Sequence, residues 1–126
     1  MGTPVGTLSY VLDTNIVIYL QKGWLAEALP KGHMAISVIT EIELRGFPGL
    51  SAEQEEYLTR FLAEIRIESL DKDIKETAIR LRRNHRIKLP DALIAATALA
   101  RGAVLLTNDE HLHGLSELSC RKLEVR

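Results

Sequence analysis

The stretch Leu8-Ser9-Tyr10-Val11-Leu12-Asp13-Thr14-Asn15-Ile16-Val17-Ile18-Tyr19-Leu20 changes character at its middle. Leu8 to Leu12 reads as a buried strand. Asp13 and Thr14 then offer side-chain oxygens suited to capping a helix, and Ile16 to Leu20 begins that helix. A strand that runs straight into a helix is the opening unit of an α/β fold. It also leaves one carboxylate, Asp13, at the carboxyl end of a strand, where such folds bind ligands.

Reading outward, the same alternation continues. Trp24 to Leu29 suggests a short second helix, stopped by Pro30 and Gly32. Met34 to Ser37 is short and apolar and predicts a strand. A helix follows to about Leu44 and is closed by Gly46 and Pro48. Ser51 and Gln54 have the spacing of a capping box. Behind them Tyr57, Leu58, Phe61, Leu62 and Ile65 recur at helical period. Ile65 to Leu70 alternates like an edge strand, and Asp71 or Asp73 caps a helix reaching about Asn84.

Pro90 suits the first turn of the next helix and Gly102 the position just past its end. That helix is apolar nearly all round, which predicts burial, and its alanines allow a close neighbour. Ala103 to Leu106 is a fully apolar strand, and Lys122 to Val125 a last, weak one. Strands alternating with helices give an α/β fold: a mostly parallel central sheet of about five strands, with helices on both faces.

Composition narrows the class. At 126 residues the chain reads as a single domain, 1–126, with a loose start over residues 1–7. Hydrophobic residues make up 46%, charged residues 26%, and the net charge is −1, which excludes a disordered or fibrous chain. Any nucleic-acid contact must come from a local basic patch, since no general positive charge exists. The single Cys120 cannot form an internal disulfide. The longest apolar run, Ala92 to Ala100 interrupted by Thr97, falls short of the ~20 residues of a membrane span. No signal-peptide pattern opens the chain, so the expected location is the cytoplasm, with no membrane partner.

Four acids carry the chemistry. Asp13 follows the first strand. Glu43 stands in Thr40-Glu41-Ile42-Glu43-Leu44, Asp91 in Leu89-Pro90-Asp91-Ala92, and Asp109 in Leu106-Thr107-Asn108-Asp109, beyond the fourth strand. Asp13 and Asp109 therefore belong on one sheet edge. Each acid alone has a bland explanation. Asp13 could cap a helix, Asp91 could answer a helix dipole, Glu43 could complete a capping box with Thr40, and Asp109 could serve a turn. Two acids at strand ends and two near helix starts, in one small domain, form a set that a hard divalent cation would explain. Such an ion makes a water acidic enough to attack phosphorus.

These motifs resemble those of a known family. Leu12-Asp13-Thr14-Asn15, then Ser37-Val38-Ile39-Thr40-x-x-Glu43-Leu44-x-Gly46, then Leu89-Pro90-Asp91-Ala92-Leu93-Ile94-Ala95-Ala96-Thr97-Ala98, then Leu106-Thr107-Asn108-Asp109 look like the four motifs of PIN-domain ribonucleases. Length and order are similar to VapC-type toxins of prokaryotic toxin–antitoxin pairs, over roughly residues 8–113. The resemblance implies a PIN-like three-layer sandwich and Mg²⁺- or Mn²⁺-dependent endonucleolytic cleavage of single-stranded RNA. Asp13, Glu43, Asp91 and Asp109 would be catalytic, with Asp13, Asp91 and Asp109 as the metal ligands. Thr14, Asn15 and Thr107 match supporting positions. A homodimer and a small antitoxin protein are implied as partners. One departure is Leu112, where the family often has an aromatic residue.

Glu41 lies about 200° around a helix from Glu43, so the two cannot face one pocket. The Thr-x-x-Glu-Leu match selects Glu43. Arg80, Arg82, Arg83, Arg86 and Lys88, with His85, form the one dense basic run. A solvated helix end accounts for it, and an RNA-backbone role for Arg83, Arg86 and Lys88, with Arg45, is the functional alternative. His111 and His113 lack the companions a zinc site needs, so a surface turn is the simpler reading. Trp24, Tyr19 and Tyr57 offer base-stacking surfaces but default to core packing. Two other functions stay open here: a catalytically inactive PIN-like module that binds RNA or protein, and a phosphoacceptor receiver domain. The second lacks the paired acids and the lysine it would need.

Overall fold

The computed structural model describes residues 9–126; Leu8 and the expected loose start over 1–7 lie outside the described residues. β1 (Ser9–Leu12) leads into α1 (Thr14–Lys22), and β2 (His33–Ser37) into α2 (Val38–Arg45). After α3 (Ala52–Glu64) come β3 (Arg66–Glu68), α4 (Lys72–Asn84) and α5 (Leu89–Ala100). β4 (Val104–Leu106), the single turn α6 (Glu110–His113) and β5 (Cys120–Arg121) complete the chain.

The sheet has five strands in the order β3-β2-β1-β4-β5. Every neighbouring pair is parallel. The α/β expectation holds, and the sheet is parallel throughout. The period-2 rule sorts the core into two layers. Tyr10, Leu12, Ile36 and Leu106 face α1, α2 and α3, burying Ile16, Val17, Leu44 and Leu58. Val11 and Leu105 point the other way, onto Ile74, Ala78 and Leu81 of α4 and the alanine-rich α5. Ala92, Ala95, Ala96 and Ala98 are all buried, so α5 is covered nearly all round, as its sequence requires.

Local signals placed most helix ends. Asp13, Ser37, Ser51 and Asp71 are N-caps. The Ser51 box closes both ways: Ser51 N donates to Gln54 Oε1 at 2.9 Å and Gln54 N to Ser51 Oγ at 3.1 Å. Ser51→Ala is expected to cost about 1 kcal/mol in denaturant unfolding, because the bond from Gln54 N is lost with the hydroxyl.

Several expectations fail, core packing of Trp24 among them, since that side chain is exposed and lies under Lys22. Residues 24–29 form no helix. Gly23 ends α1 in the left-handed region, and Leu25 bridges antiparallel to Val125 instead. Ala26 N donates to Glu124 O at 2.8 Å and Arg126 N to Trp24 O at 2.7 Å. The last sheet strand accordingly falls at Cys120–Arg121, not at 122–125. Thr40 caps nothing, because Ser37 already caps α2 through Ile39 N and Thr40 sits inside the helix. Glu43 therefore lies in the second half of α2 rather than near its start.

β1 is the pivot of the topology. The chain moves from β1 outward to β2 and β3, then returns to lay β4 on the opposite side of β1. Parallel sheets open a crevice where the direction of winding reverses, at the carboxyl ends of the strands. Here the winding reverses between β1 and β4.

Candidate active site

The ladder between β1 and β4 continues to the first acid itself: Asp13 N donates to Leu106 O at 3.0 Å. Asp13 is 7% exposed. Its carboxylate accepts Thr14 N at 2.8 Å on Oδ1 and the Thr107 hydroxyl at 2.7 Å on Oδ2. Burial pushes the Asp13 carboxyl above its ordinary range. The two hydrogen bonds oppose that shift, and the charges of Asp91 and Asp109 add to it.

Thr107 is the joint between two of the acids. Fully buried at the end of β4, it gives its hydroxyl proton to Asp13 and accepts Asp109 N on the same oxygen at 3.1 Å. Asp109 in turn caps α6 by accepting His111 N on Oδ1 at 2.8 Å. The turn reading of Asp109 is thus also met, by the single helical turn that it caps.

Asp91 stands in the first turn of α5, half-buried. Desolvation raises its carboxyl first, then the charges of Asp109 and Glu43, while Lys88 and His111 act in the lowering direction. Glu43 is exposed and held by Thr14, whose hydroxyl donates to Glu43 Oε1 at 2.6 Å. Thr14 Oγ1 also lies 3.0 Å from Thr40 Oγ1. Thr14 has one hydroxyl proton and gives it to Glu43, so the proton between the two threonines is that of the fully buried Thr40. Nothing in the sequence had singled out Thr40 for this role. Glu41 turns elsewhere and pairs with Arg45 at 3.2 Å, as the helical angle required.

The structure thus brings Asp13, Glu43, Asp91 and Asp109 within electrostatic reach of one another, with Thr14 and Thr107 bonded to them. Asn15 is exposed and makes no side-chain hydrogen bond among the described residues. Arg83, Arg86 and Lys88 are exposed and unpaired among the described residues; of these, Lys88 is felt by Asp91. Arg45 is partly committed to Glu41 and lines a separate groove with Leu50, Glu55, Leu58 and Thr59. Cys120 lies near enough to feel Asp13, and burial pushes its thiol up to about 11, so it stays protonated and donates to Leu112 O at 3.6 Å.

None of the four acids forms an ion pair among the described residues, and their donors are all oxygen, the set a hard cation prefers. Equally, no group of three or more His, Cys, Asp or Glu among the described residues is gathered closely enough to grip one ion directly. An ion such as Mg²⁺ does not require such a group, since it takes one or two carboxylates and keeps several waters for other acids to orient.

Known proteins share this chain's fold and much of its sequence. The family description "PIN domain" matches residues 10–118. The chain is 34% identical over 108 residues to a protein named Ribonuclease VapC10 of Mycobacterium tuberculosis, spanning 77% of this chain and 80% of that one. Among solved structures, a toxin–antitoxin complex from Klebsiella pneumoniae superposes with a TM-score of 0.70 at 31% identity, over 86% of this chain and 94% of that one. VapBC2 from Rickettsia felis, bound to a DNA fragment from its promoter, shares the fold with a TM-score of 0.77 at 24% identity, over 93% and 100% of the two chains.

Proposed function

The chain belongs to the PIN-domain family, and on that premise we propose that it is a divalent-metal-dependent endoribonuclease that hydrolyses single-stranded RNA and serves as the toxin of a toxin–antitoxin pair. The observation that carries this reading is the meeting of Asp13, Glu43, Asp91 and Asp109 at the switch point of the sheet, without a side-chain cation paired to any of them among the described residues. Protein carboxylates held this way are unfavourable on their own, as the raised carboxyls of Asp13 and Asp91 register.

Asp13, Asp91 and Asp109 are the residues that would hold Mg²⁺ or Mn²⁺, directly or through water. When bound, the ion supplies charge stabilisation at the phosphate and a water that ionises near neutral pH. The chain's own part is positional. Thr107 fixes Asp13 and Asp109 relative to each other, and the Thr40–Thr14 pair steadies Glu43. Glu43 is then placed to orient or accept a proton from water beside Asp91. An acidic cleft repels RNA, so exposed cations must offset it. Lys88 stands next to the site, with Arg86 and Arg83 leading away from it. A homodimer and a small protein antitoxin belong to the same reading, and the antitoxin is supported by a structure at 31% identity that is described as a toxin–antitoxin complex.

The test is incubation of purified protein with single-stranded RNA in Mg²⁺ or Mn²⁺, then in excess EDTA, with mapping of the fragment ends. Internal cuts leaving 5′-phosphate and 3′-hydroxyl ends, lost in EDTA, are expected. Cleavage that persists in EDTA, or none with either ion, would exclude the assignment.

A further inference from the structure

His113, the second histidine of the α6 turn, does more than occupy a surface turn. It is half-buried, and its Nε2 lies 2.7 Å from Thr107 O. A carbonyl oxygen can only accept, so Nε2 must carry the proton. That proton is present on the Nε2–H tautomer and on the imidazolium alike, so the contact does not depend on charge. His111, by contrast, is exposed and contributes its backbone N–H to Asp109.

Every hydrogen-bonding group of Thr107 is then engaged. Its N–H donates to Arg121 O at 3.1 Å, its carbonyl accepts from His113, and its hydroxyl joins Asp13 to Asp109 N. The first contact ties the residue to β5 and the second to the end of α6. Without the imidazole the Thr107 carbonyl is free to tilt, and the peptide that leads to Asn108 and Asp109 tilts with it. The hydroxyl whose direction sets both acids sits on the same residue.

We propose that His113 is a positioning residue of the active site. By clamping the Thr107 carbonyl, it holds the hydroxyl that orients Asp13 and Asp109 for the divalent ion. The proposal rests on the nuclease reading for its consequence in catalysis, but the clamp itself is a local geometric claim. Outer partners of this kind cost about tenfold to a hundredfold in metal affinity or activity when removed.

The test compares His113→Ala with His113→Gln, whose side-chain amide N–H can replace the Nε2 donor. Mn²⁺ affinity is read by electron paramagnetic resonance, kcat and KM are read on single-stranded RNA, and backbone amide signals of Asp109 and His111 are read by NMR. His113→Ala is expected to weaken Mn²⁺ binding and lower kcat at least tenfold, with KM within about threefold, and to move both amide signals. His113→Gln should recover most of each loss. Parental affinity, kcat and amide signals in His113→Ala, or a Gln variant as impaired as the Ala variant, would overturn the proposal. If the parent neither binds Mn²⁺ nor cuts RNA, the nuclease reading fails. The amide signals then still judge the clamp, and it is refuted if they do not move in His113→Ala.

Discussion

Asp91→Asn is expected to reduce metal-dependent RNA cleavage by about 10³-fold or more, and in EDTA at pH 7 to leave the protein slightly more heat-resistant than the parent. The first effect follows from removing a charge that would face the ion. Loss of an outer partner alone costs tenfold to a hundredfold, so loss of a ligand should exceed that. The second follows from the raised carboxyl of Asp91, set by desolvation and by the charges of Asp109 and Glu43. A carboxyl whose folded pKa lies above its unfolded value favours folding less as pH rises through that window, because the folded state gives up its proton later. The penalty is absent below the unfolded value near 3.8 and complete above the raised one. The gain in Asp91→Asn should therefore vanish in acid and be full at neutrality. Partial exposure screens it to about 1 kcal/mol or less, a few degrees in Tm. Mn²⁺ should narrow the gap by stabilising the parent and not the variant. Scanning calorimetry at two pH values, with and without Mn²⁺, checks this. A variant that cleaves like the parent would remove Asp91 from the site.

Thr107→Val carries the next largest effect. Valine keeps the volume but strips the donor from Asp13 Oδ2 and the acceptor from Asp109 N, at a fully buried position. Leaving such groups unpaired costs about 1–3 kcal/mol each at most, and denaturant unfolding should register the loss. Asp13 loses the strongest influence lowering its carboxyl, so that carboxyl rises further. The acid limb of the cleavage profile should move to higher pH, and kcat at neutral pH should fall tenfold to a hundredfold. Thr107→Ser keeps the hydroxyl and should retain most activity. An unchanged acid limb in the valine variant would mean that the hydroxyl does not govern Asp13.

What the sequence made legible was whatever is decided locally. The strand–acid–helix run at 8–20 fixed β1, the cap and the place of Asp13 within a residue or two, because apolar periodicity and a capping oxygen act over a few residues. The capping box at Ser51 and the buried character of α5 were visible for the same reason. Residues 24–29 misled because Trp24, Leu25 and Leu29 have helical spacing, while the contact that wins is with Glu124, Val125 and Arg126, about a hundred positions away. Thr40 looked like a cap because its spacing to Glu43 allowed it, but Ser37 lies one turn earlier and took the role. That freed Thr40 to point inward at Thr14. The meeting of the acids could be argued for Asp13 and Asp109 from strand ends alone. The hydroxyl links among Thr107, Thr14 and Thr40, and the grip of His113, are three-dimensional facts with no short-range signature.

Asn108 shows how the loop bearing Asp109 is held from behind. Its side-chain amide donates to Leu123 O at 2.8 Å and accepts Leu123 N at 2.9 Å, as a peptide group would. The row of bonds leaving β4 is thereby carried on by a side chain after the backbone has turned away. Evolution consequently has unequal freedom over the closing segment. Glu124 can drift in identity with little effect on the acids, Lys122 is tied to Glu110 beside Asp109, and position 123 must keep a buried apolar side chain and an N–H, which excludes proline.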